Sequence, residues 1–275
     1  MRSVHRYWIG LVSILVSVVV FLVPFAFIVV TAAKSRQESA ALDFTWPSEW
    51  HLWSNIAEVW RARDYMLLTA MINSTILTVA SVAIMVVLAA LAGYVLQRRR
   101  GWWTPLANFL ILAGLIVPPA VVPTIWLMQK LGIYKTLHGL VLIEVAFGLS
   151  FSVLLFRAFV ATIPRELDEA ATIDGAGPLR LFFRVIFPLL RSVIVTVIVV
   201  QAVAVFNDFQ NPLYFLPGND NATVQLTLFN FQSQFNTMRN LLFTDILLIT
   251  IPPLIMYMFF NRQIVAGLTS GAVKG

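Results

Sequence analysis

The chain has 275 residues, 59% hydrophobic and only 12% charged, with 19 Lys+Arg against 13 Asp+Glu and no cysteine; its mean hydropathy is +0.84. Soluble domains average about 45–50% apolar and about 25% charged residues, so these values exclude a soluble globular enzyme, a disordered chain and a disulfide-stapled secreted domain. The lack of cysteine also removes thiol nucleophiles, Fe–S ligation and Cys-based zinc sites. What remains is a protein of the lipid bilayer. The net charge of +6 does not point to nucleic acid, because the cations fall in short clusters between long apolar runs. That pattern encodes membrane topology.

A transmembrane helix needs about 20 mostly apolar residues. Six segments meet this requirement: 8–30, 67–96, 106–128, 140–160, 192–213 and 240–260. Their apolarity is continuous rather than alternating, which predicts an all-α polytopic protein and not a barrel. The first segment is read as an uncleaved span, since its charge-free stretch over 7–33 far exceeds the about 7–15 residues of a signal-peptide core. If six spans alternate, Arg2, Arg6, the Arg98-Arg99-Arg100 run, Arg157, Arg165, Arg262 and Lys274 share one side. The other side holds most of the loop acids, including Glu38, Asp43, Asp64 and Asp220. This bias predicts that both termini are cytoplasmic.

Two external loops exceed plain connectors. The loop over 31–66 carries Trp46, Trp50, Trp53 and Trp60 beside Pro47, a composition expected of an interfacial helix at the headgroup level. The loop over 212–239 has a turn signal at Pro217-Gly218-Asn219-Asp220-Asn221. Gln225, Asn230, Gln232, Gln234 and Asn236 follow, mixed with Phe229, Phe231 and Phe235. Amides and aromatics together suit an external contact or a sugar-facing surface; a solvated loop fits equally well.

The cytoplasmic segment 163–188 is the most informative. Pro164 suits the first turn of a helix, and Glu166, Asp168 and Glu169 complement its positive N-terminal end. Gly175 is placed to stop that helix in the left-handed conformation. Pro178 suits the first turn of a second helix, with Pro188 marking a kink or end before the fifth span. Two short helices joined at glycines form a charged knob on the membrane surface. Exposed Ala170 and Ala171 would permit close approach of a docking partner. A capped surface loop with no partner is the competing reading.

These residues carry a resemblance. Glu169-Ala170-Ala171, Gly175 four positions on and Pro188 resemble the EAA loop of the membrane subunits of bacterial ABC importers. Val185 and Phe187 stand where that family often has Ile and Leu. Asn73-Ser74, Asn207-Asp208-Phe209 and the tail from Gly267 to Gly275 are similar to the carbohydrate branch, the group of the maltose importer's smaller membrane subunit. The resemblance implies a type I ABC importer permease fold, with an N-terminal span and external loop over 1–66, a transmembrane core over 67–262 and a cytoplasmic tail over 263–275. It implies Glu169, Ala170, Ala171, Gly175 and Pro188 as ATPase-docking residues. It also implies three kinds of partner: a cytoplasmic ABC ATPase dimer, a second, non-identical permease subunit and an external substrate-binding protein. ATP and Mg would be held by the ATPase, and no cofactor is expected in this chain, which lacks a Gly-x-x-x-x-Gly-Lys-Ser/Thr loop. The location implied is the bacterial inner membrane.

Ionisable groups inside a bilayer are costly and are functional candidates by default. Asp208, with Asn207, Gln210 and mid-span Gln201, is the candidate substrate path; Gln201 equally suits interhelical packing. Glu144 and Asp245 are read as capping or interhelical groups. An alternative built on these carboxylates is an ion-coupled secondary transporter, which leaves the Glu169 loop unexplained. An aspartyl protease using Asp208 and Asp245 lacks the flanking patterns of such enzymes. His5, His51 and His138 are scattered, and neither His-Glu-x-x-His nor Gly-x-Ser-x-Gly occurs. The chain is read as a transporter subunit, not an enzyme.

Overall fold

The computed structural model describes residues 2–99, 101–218, 221–232 and 237–272, with side chains described between 10 and 260. Among these residues the protein is all-helical, without a strand. Arg100, Asn219, Asp220, Gln234, Phe235, Asn236 and Lys274 lie outside the described residues, as do the side chains of Arg2, Arg6 and Arg262. The chain forms two compact units, Met1–Ala70 with Val224–Ile251, and Met71–Thr223 with Pro252–Gly275.

The first unit begins with α1 (Arg2–Ala32). Its described surface is apolar and exposed, as at Ile14 and Phe21, which suits a lipid-facing helix. A tight polar knot follows. Ser35 and Glu38 form a reciprocal capping box on α2 (Arg36–Ser39), satisfying two backbone donors that would otherwise be orphaned. Lys34 is 1% exposed. Its Nζ donates to Asp43 Oδ1 at 2.5 Å, to the Asp43 carbonyl at 2.8 Å and to Thr45 Oγ1 at 3.0 Å. The long helix α3 (Leu52–Arg98) then starts with a segment that exposes Trp53 and Trp60. It is broken at Ala62–Tyr65, where Arg63, Asp64 and Tyr65 take φ values of 47°, 54° and 61°. The 3₁₀ segment Val224–Asn230 completes this unit together with the first part of the last helix, Arg239–Ala272.

The second unit contains the rest of α3, α4 (Thr104–Ile116), α5 (Val121–Lys130), α6 (Leu137–Val160), α7 (Glu166–Ile173), α8 (Pro178–Leu189), α9 (Arg191–Phe206) and α10 (Gln210–Phe215). Small residues let α3 approach α6. A Cβ at Gly93 would lie 2.8 Å from Phe156 Cβ and 3.0 Å from the Arg157 nitrogen, and Ala89 and Ala90 beside it are fully buried. Lipid tails are as apolar as side chains, so close packing rather than the hydrophobic effect holds such helices together. Around this contact lies a core that includes Phe156, Val160, Phe182, Ile186 and Leu190.

Among the described residues, four helices are long and apolar enough to span a membrane alone: Gly10–Ala32, Leu52–Arg98, Leu137–Val160 and Arg239–Phe260. Counting two bent pairs raises the number to six, the number expected, with neither pair a single helix over its expected bounds. The third expected span, 106–128, is α4 and α5 meeting at 113°. Pro118 and Pro119 lack donors, and they push Val117 into an extended conformation (ψ 122°) that ends α4. The fifth, 192–213, stops at Phe206. Asn207 leaves the helix and Asp208 Oδ1 accepts from the backbone nitrogens of Gln210 and Asn211 at 2.8 and 3.2 Å, a local bond that competes with helix continuation. With 16 residues, α9 is about 24 Å long. It is joined to α8 with a 77° bend at Leu190.

Candidate functional site

The knob is α7, a turn at Gly175, and α8. The first turn of α7 is acidic through Glu166, Asp168 and Glu169; Pro164 lies just outside it, before Arg165. Gly175 has φ +77°, the left-handed cap expected of it. Its nitrogen donates to the Thr172 carbonyl and that of Ala176 to the Ala171 carbonyl, at 3.1 and 3.0 Å, the paired bonds of a Schellman motif. Within α8 the turn at Phe182–Ile186 is a π-helix. Pro188 is exposed inside this helix, and the break comes two residues later at buried Leu190.

The two alanines of the motif face opposite ways. Ala170 is exposed with Glu169, whereas Ala171 is buried in the core containing Leu181 and Phe182. The expectation that both alanines are exposed is therefore corrected. Residues three and four apart share a helix face; Ala171 lies three positions from inward-turned Asp168. The outward face gains Ile173, 86% exposed, with Leu167 and Leu179 also exposed. These apolar residues escaped the sequence reading, although the spacing of Ile173 from Glu169 places them together. The Glu169 side chain makes no hydrogen bond among the described residues, so its charge is available at the surface.

The inner face of the knob is tied down. Tyr94 Oη donates to Asp168 Oδ1 at 2.5 Å, and Arg98 Nη2 lies 3.0 Å from Asp168 Oδ2 in an ion pair. The same Arg98 nitrogen donates to the Ile163 carbonyl at 2.9 Å. The Tyr94 ring packs on Phe182 with centroids 5.5 Å apart. Beside these groups a cleft of about 400 Å³ is lined by Arg98, Arg165, Asp168, Glu169 and Thr172, among others.

At the far end of α6 and α9 sits a second polar group. Glu144 is buried in α6; Asn211 Nδ2 donates to its Oε1 at 3.3 Å, and the Asp208 carboxyl faces it at hydrogen-bonding range. Asp208 also caps α10, as described. Asn207 and Gln210 are exposed on this end, with Asn207 Nδ2 donating to the Val203 carbonyl. Gln201 does not join them. It is buried, and its Nε2 donates to Ser152 Oγ at 3.0 Å and to the Gly148 carbonyl at 3.3 Å. Its amide bridges α9 to α6, the packing arrangement that was one of the two expected for it. Glu144 behaves as the interhelical group expected of it.

In the first unit, Asp245 is fully buried and Oδ2 accepts from Thr227 Oγ1 at 2.8 Å, again an interhelical role. Asn240 Nδ2 donates to Asn55 Oδ1 at 3.0 Å, and Asn55 Nδ2 to the Ala32 carbonyl at 2.8 Å. Of the amide-rich loop, Asn230 Nδ2 meets Met66 Sδ at 3.2 Å, Phe231 is buried and Phe229 exposed. Hydrogen bonds from Ser48 and Ser35 hold the Glu38 carboxyl at about 2, below its ordinary 4.5. Bonding to Lys34 and Thr45 lowers that of Asp43.

A polytopic helical protein with a capped, charged knob beside its spans defines the class of a membrane permease. Residues 85–270 match the family of binding-protein-dependent transport system inner membrane components, and the chain belongs to that family. The chain is 28% identical over 281 residues to the melibiose/raffinose/stachyose import permease MelC of Bacillus subtilis, covering all of both chains. It is 30% identical over 260 residues to the diacetylchitobiose uptake permease NgcG of Streptomyces coelicolor, covering 93% of this chain and 85% of that one. Its fold matches a bacterial ABC transporter involved in alginate import with a TM-score of 0.79 at 20% identity, covering 95% of this chain and 98% of that one. The protein is thus a multi-pass inner-membrane ABC importer permease with the type I fold. It is a transport component and not an enzyme. These findings support the importer expectation and not the ion-coupled alternative.

Proposed function

We propose that this chain forms half of the translocation path of an ATP-driven importer for a sugar or oligosaccharide, delivered by an external binding protein. The substrate class is supported by relatives named for melibiose, raffinose, stachyose and diacetylchitobiose. Both termini lie in the cytoplasm, on the side of the knob. A cytoplasmic ABC ATPase dimer binds ATP and Mg and docks on Glu169, Ala170 and the adjoining Ile173. Gly175 sets the angle between the knob helices, and Ala171 packs them from within. A second, non-identical permease completes the path, and the tail over 263–275 extends toward the ATPase. Asn207 and Gln210 remain path candidates, with Asp208 fixing the turn that carries them.

The observation that carries this reading is the outward face of the knob, where an acid with no intrachain hydrogen bond among the described residues adjoins exposed apolar side chains. Ile173, Leu179 and Leu167 are 86%, 70% and 40% exposed on the knob, and apolar side chains grouped beside a charge suit a protein contact better than solvent. The test is a mild-detergent pull-down of the tagged chain with mass spectrometry, ATPase assay and uptake of a sugar panel. Recovery of a P-loop ATPase and a second polytopic permease is expected, with the ATPase lost in Glu169→Ala while membrane insertion is kept. A chain that purifies alone and moves solute on an ion gradient without ATP would overturn the proposal.

A further inference from the structure

We infer that Tyr94, Arg98 and Asp168 form a rigid latch that makes the second span a direct carrier of the ATPase stroke. This rests on the proposed importer function. The knob continues through α8 into α9, so the fifth span is the obvious route for any displacement of the docking face. That junction is poorly suited to push. The chain bends there by 77° at Leu190, and the helix just before it contains a π turn, a geometry associated with hinges and functional sites. A force on Glu169 would tend to flex this joint.

The firm connection runs elsewhere. Tyr94 and Arg98 are one turn apart on α3 and point from the same face of the second span. Tyr94 hydrogen-bonds one oxygen of the Asp168 carboxylate at 2.5 Å, and Arg98 pairs with the other by charge alone at 3.0 Å. Asp168 is the immediate neighbour of Glu169 on α7, so the latch lies one residue from the docking charge. Only 10% of the Arg98 side chain and 17% of the Asp168 side chain are exposed, and a pair so shielded is weakened little by water and salt.

Three further contacts stiffen it. The Tyr94 ring packs on Phe182 of α8, so both knob helices are held. Arg98 also ties the Ile163 carbonyl, where α6 runs into the knob. One residue from Tyr94, Gly93 brings the backbone of α3 against Phe156 and Arg157 of α6. The knob, the adjoining end of α3 and the adjoining end of α6 therefore move as one body. Tyr94, Arg98 and Asp168 are positioning residues, which act by keeping the docking helix in register with the second span.

The experiment uses the full transport complex in proteoliposomes and reads solute taken up per ATP hydrolysed. Asp168→Asn keeps the shape and removes the charge. It is expected to lower uptake per ATP about tenfold, within the range of ordinary coupling between sites, while the ATPase still copurifies. Tyr94→Phe keeps the ring contact with Phe182 and is expected to give a smaller loss in the same direction. The chain has no native cysteine, so Arg98→Cys with Asp168→Cys can be joined by a short thiol cross-linker in a complex freed of other cysteines. The joined variant is expected to regain coupled uptake that the unjoined double variant lacks.

Cross-linking that abolishes uptake would overturn the latch, because the knob would then have to swing away from the second span. Wild-type uptake per ATP in Asp168→Asn would overturn it as well. If Asp168→Asn and Tyr94→Phe both fail to assemble, the residues serve folding and the inference falls. A wild-type complex without an ATPase would bring down the proposed function and the latch together, whereas the other outcomes leave that function standing.

Discussion

At one end of the α6–α9 pair, the knob turns Glu169, Ala170 and Ile173 outward; at the other, Glu144, Asp208 and Asn211 turn toward one another. Both ends are rich in polar side chains, and the sequence marks both as candidates for function. The contrast lies in what each group already touches. A buried polar atom in a membrane helix must find a partner at once, and a partner within the chain leaves little for a solute. A charge held in the first turn of a helix, with no intrachain hydrogen bond among the described residues, stays ready for a second protein. Engagement, more than polarity, separates the proposed docking surface from structural glue.

The sharpest way to break this contrast is to loosen the packing on which both ends depend. Gly93→Leu drives a side chain into Phe156 and the Arg157 backbone. It is expected to cost about 3 kcal/mol, read as a collapse of the thermal midpoint and yield in detergent. Next comes the amide bridge. Gln201→Ala is expected to remove about 1 kcal/mol, the scale of an interhelical hydrogen bond in a bilayer, and to leave the apparent KM for uptake unchanged. A shifted KM at an unchanged midpoint would return Gln201 to the path.

Asp208 sharpens the comparison further. Asp208→Ala deletes the acceptor that starts α10 and is expected to lower stability by about 1 kcal/mol, whereas Asp208→Asn keeps the cap. Loss of uptake in Asp208→Asn at an unchanged midpoint would show that the charge itself matters. The smallest effect concerns the loop knot at Glu38. Its carboxyl sits near 2 when folded against an ordinary 4.5, so its contribution is complete above about pH 4.5 and is lost as the pH falls toward 2. Limited proteolysis of the segment around Ser48 is expected to accelerate over that window, and Glu38→Gln to abolish the pH dependence.

Much of this architecture was legible because it is written locally. The Schellman turn at Gly175 and the acidic start of α7 are set by neighbours within a few residues. The Pro118-Pro119 break was equally local, yet a hydropathy window over 106–128 averages across it and reports one straight span. The end of α9 at Asn207 was hidden for the same reason. Other features could not be read. Whether Gln201 faces a path or a neighbour depends on the rotation of α9 against α6. The meeting of Tyr94 with Asp168 joins residues 74 positions apart, and no periodicity signals it. The inward turn of Ala171 became visible only when Leu181 and Phe182 were seen packed around it.

The bend between α4 and α5 bears on how the protein is made. Helices of 13 and 10 residues reach about 20 and 15 Å, so neither alone crosses a hydrocarbon layer of about 30 Å. As this stretch leaves the ribosome it offers the insertion machinery no complete stop. Its short helices are braced once α6 arrives, with Ser150 close beside Gly114 and Leu140 sharing a core with Met128. Biogenesis of the middle of the chain is therefore a joint event, in which a later helix fixes the place of an earlier one. Chains ending at Lys130 should expose a cysteine placed in α4 to a water-soluble thiol reagent to a degree that chains ending at Val160 do not.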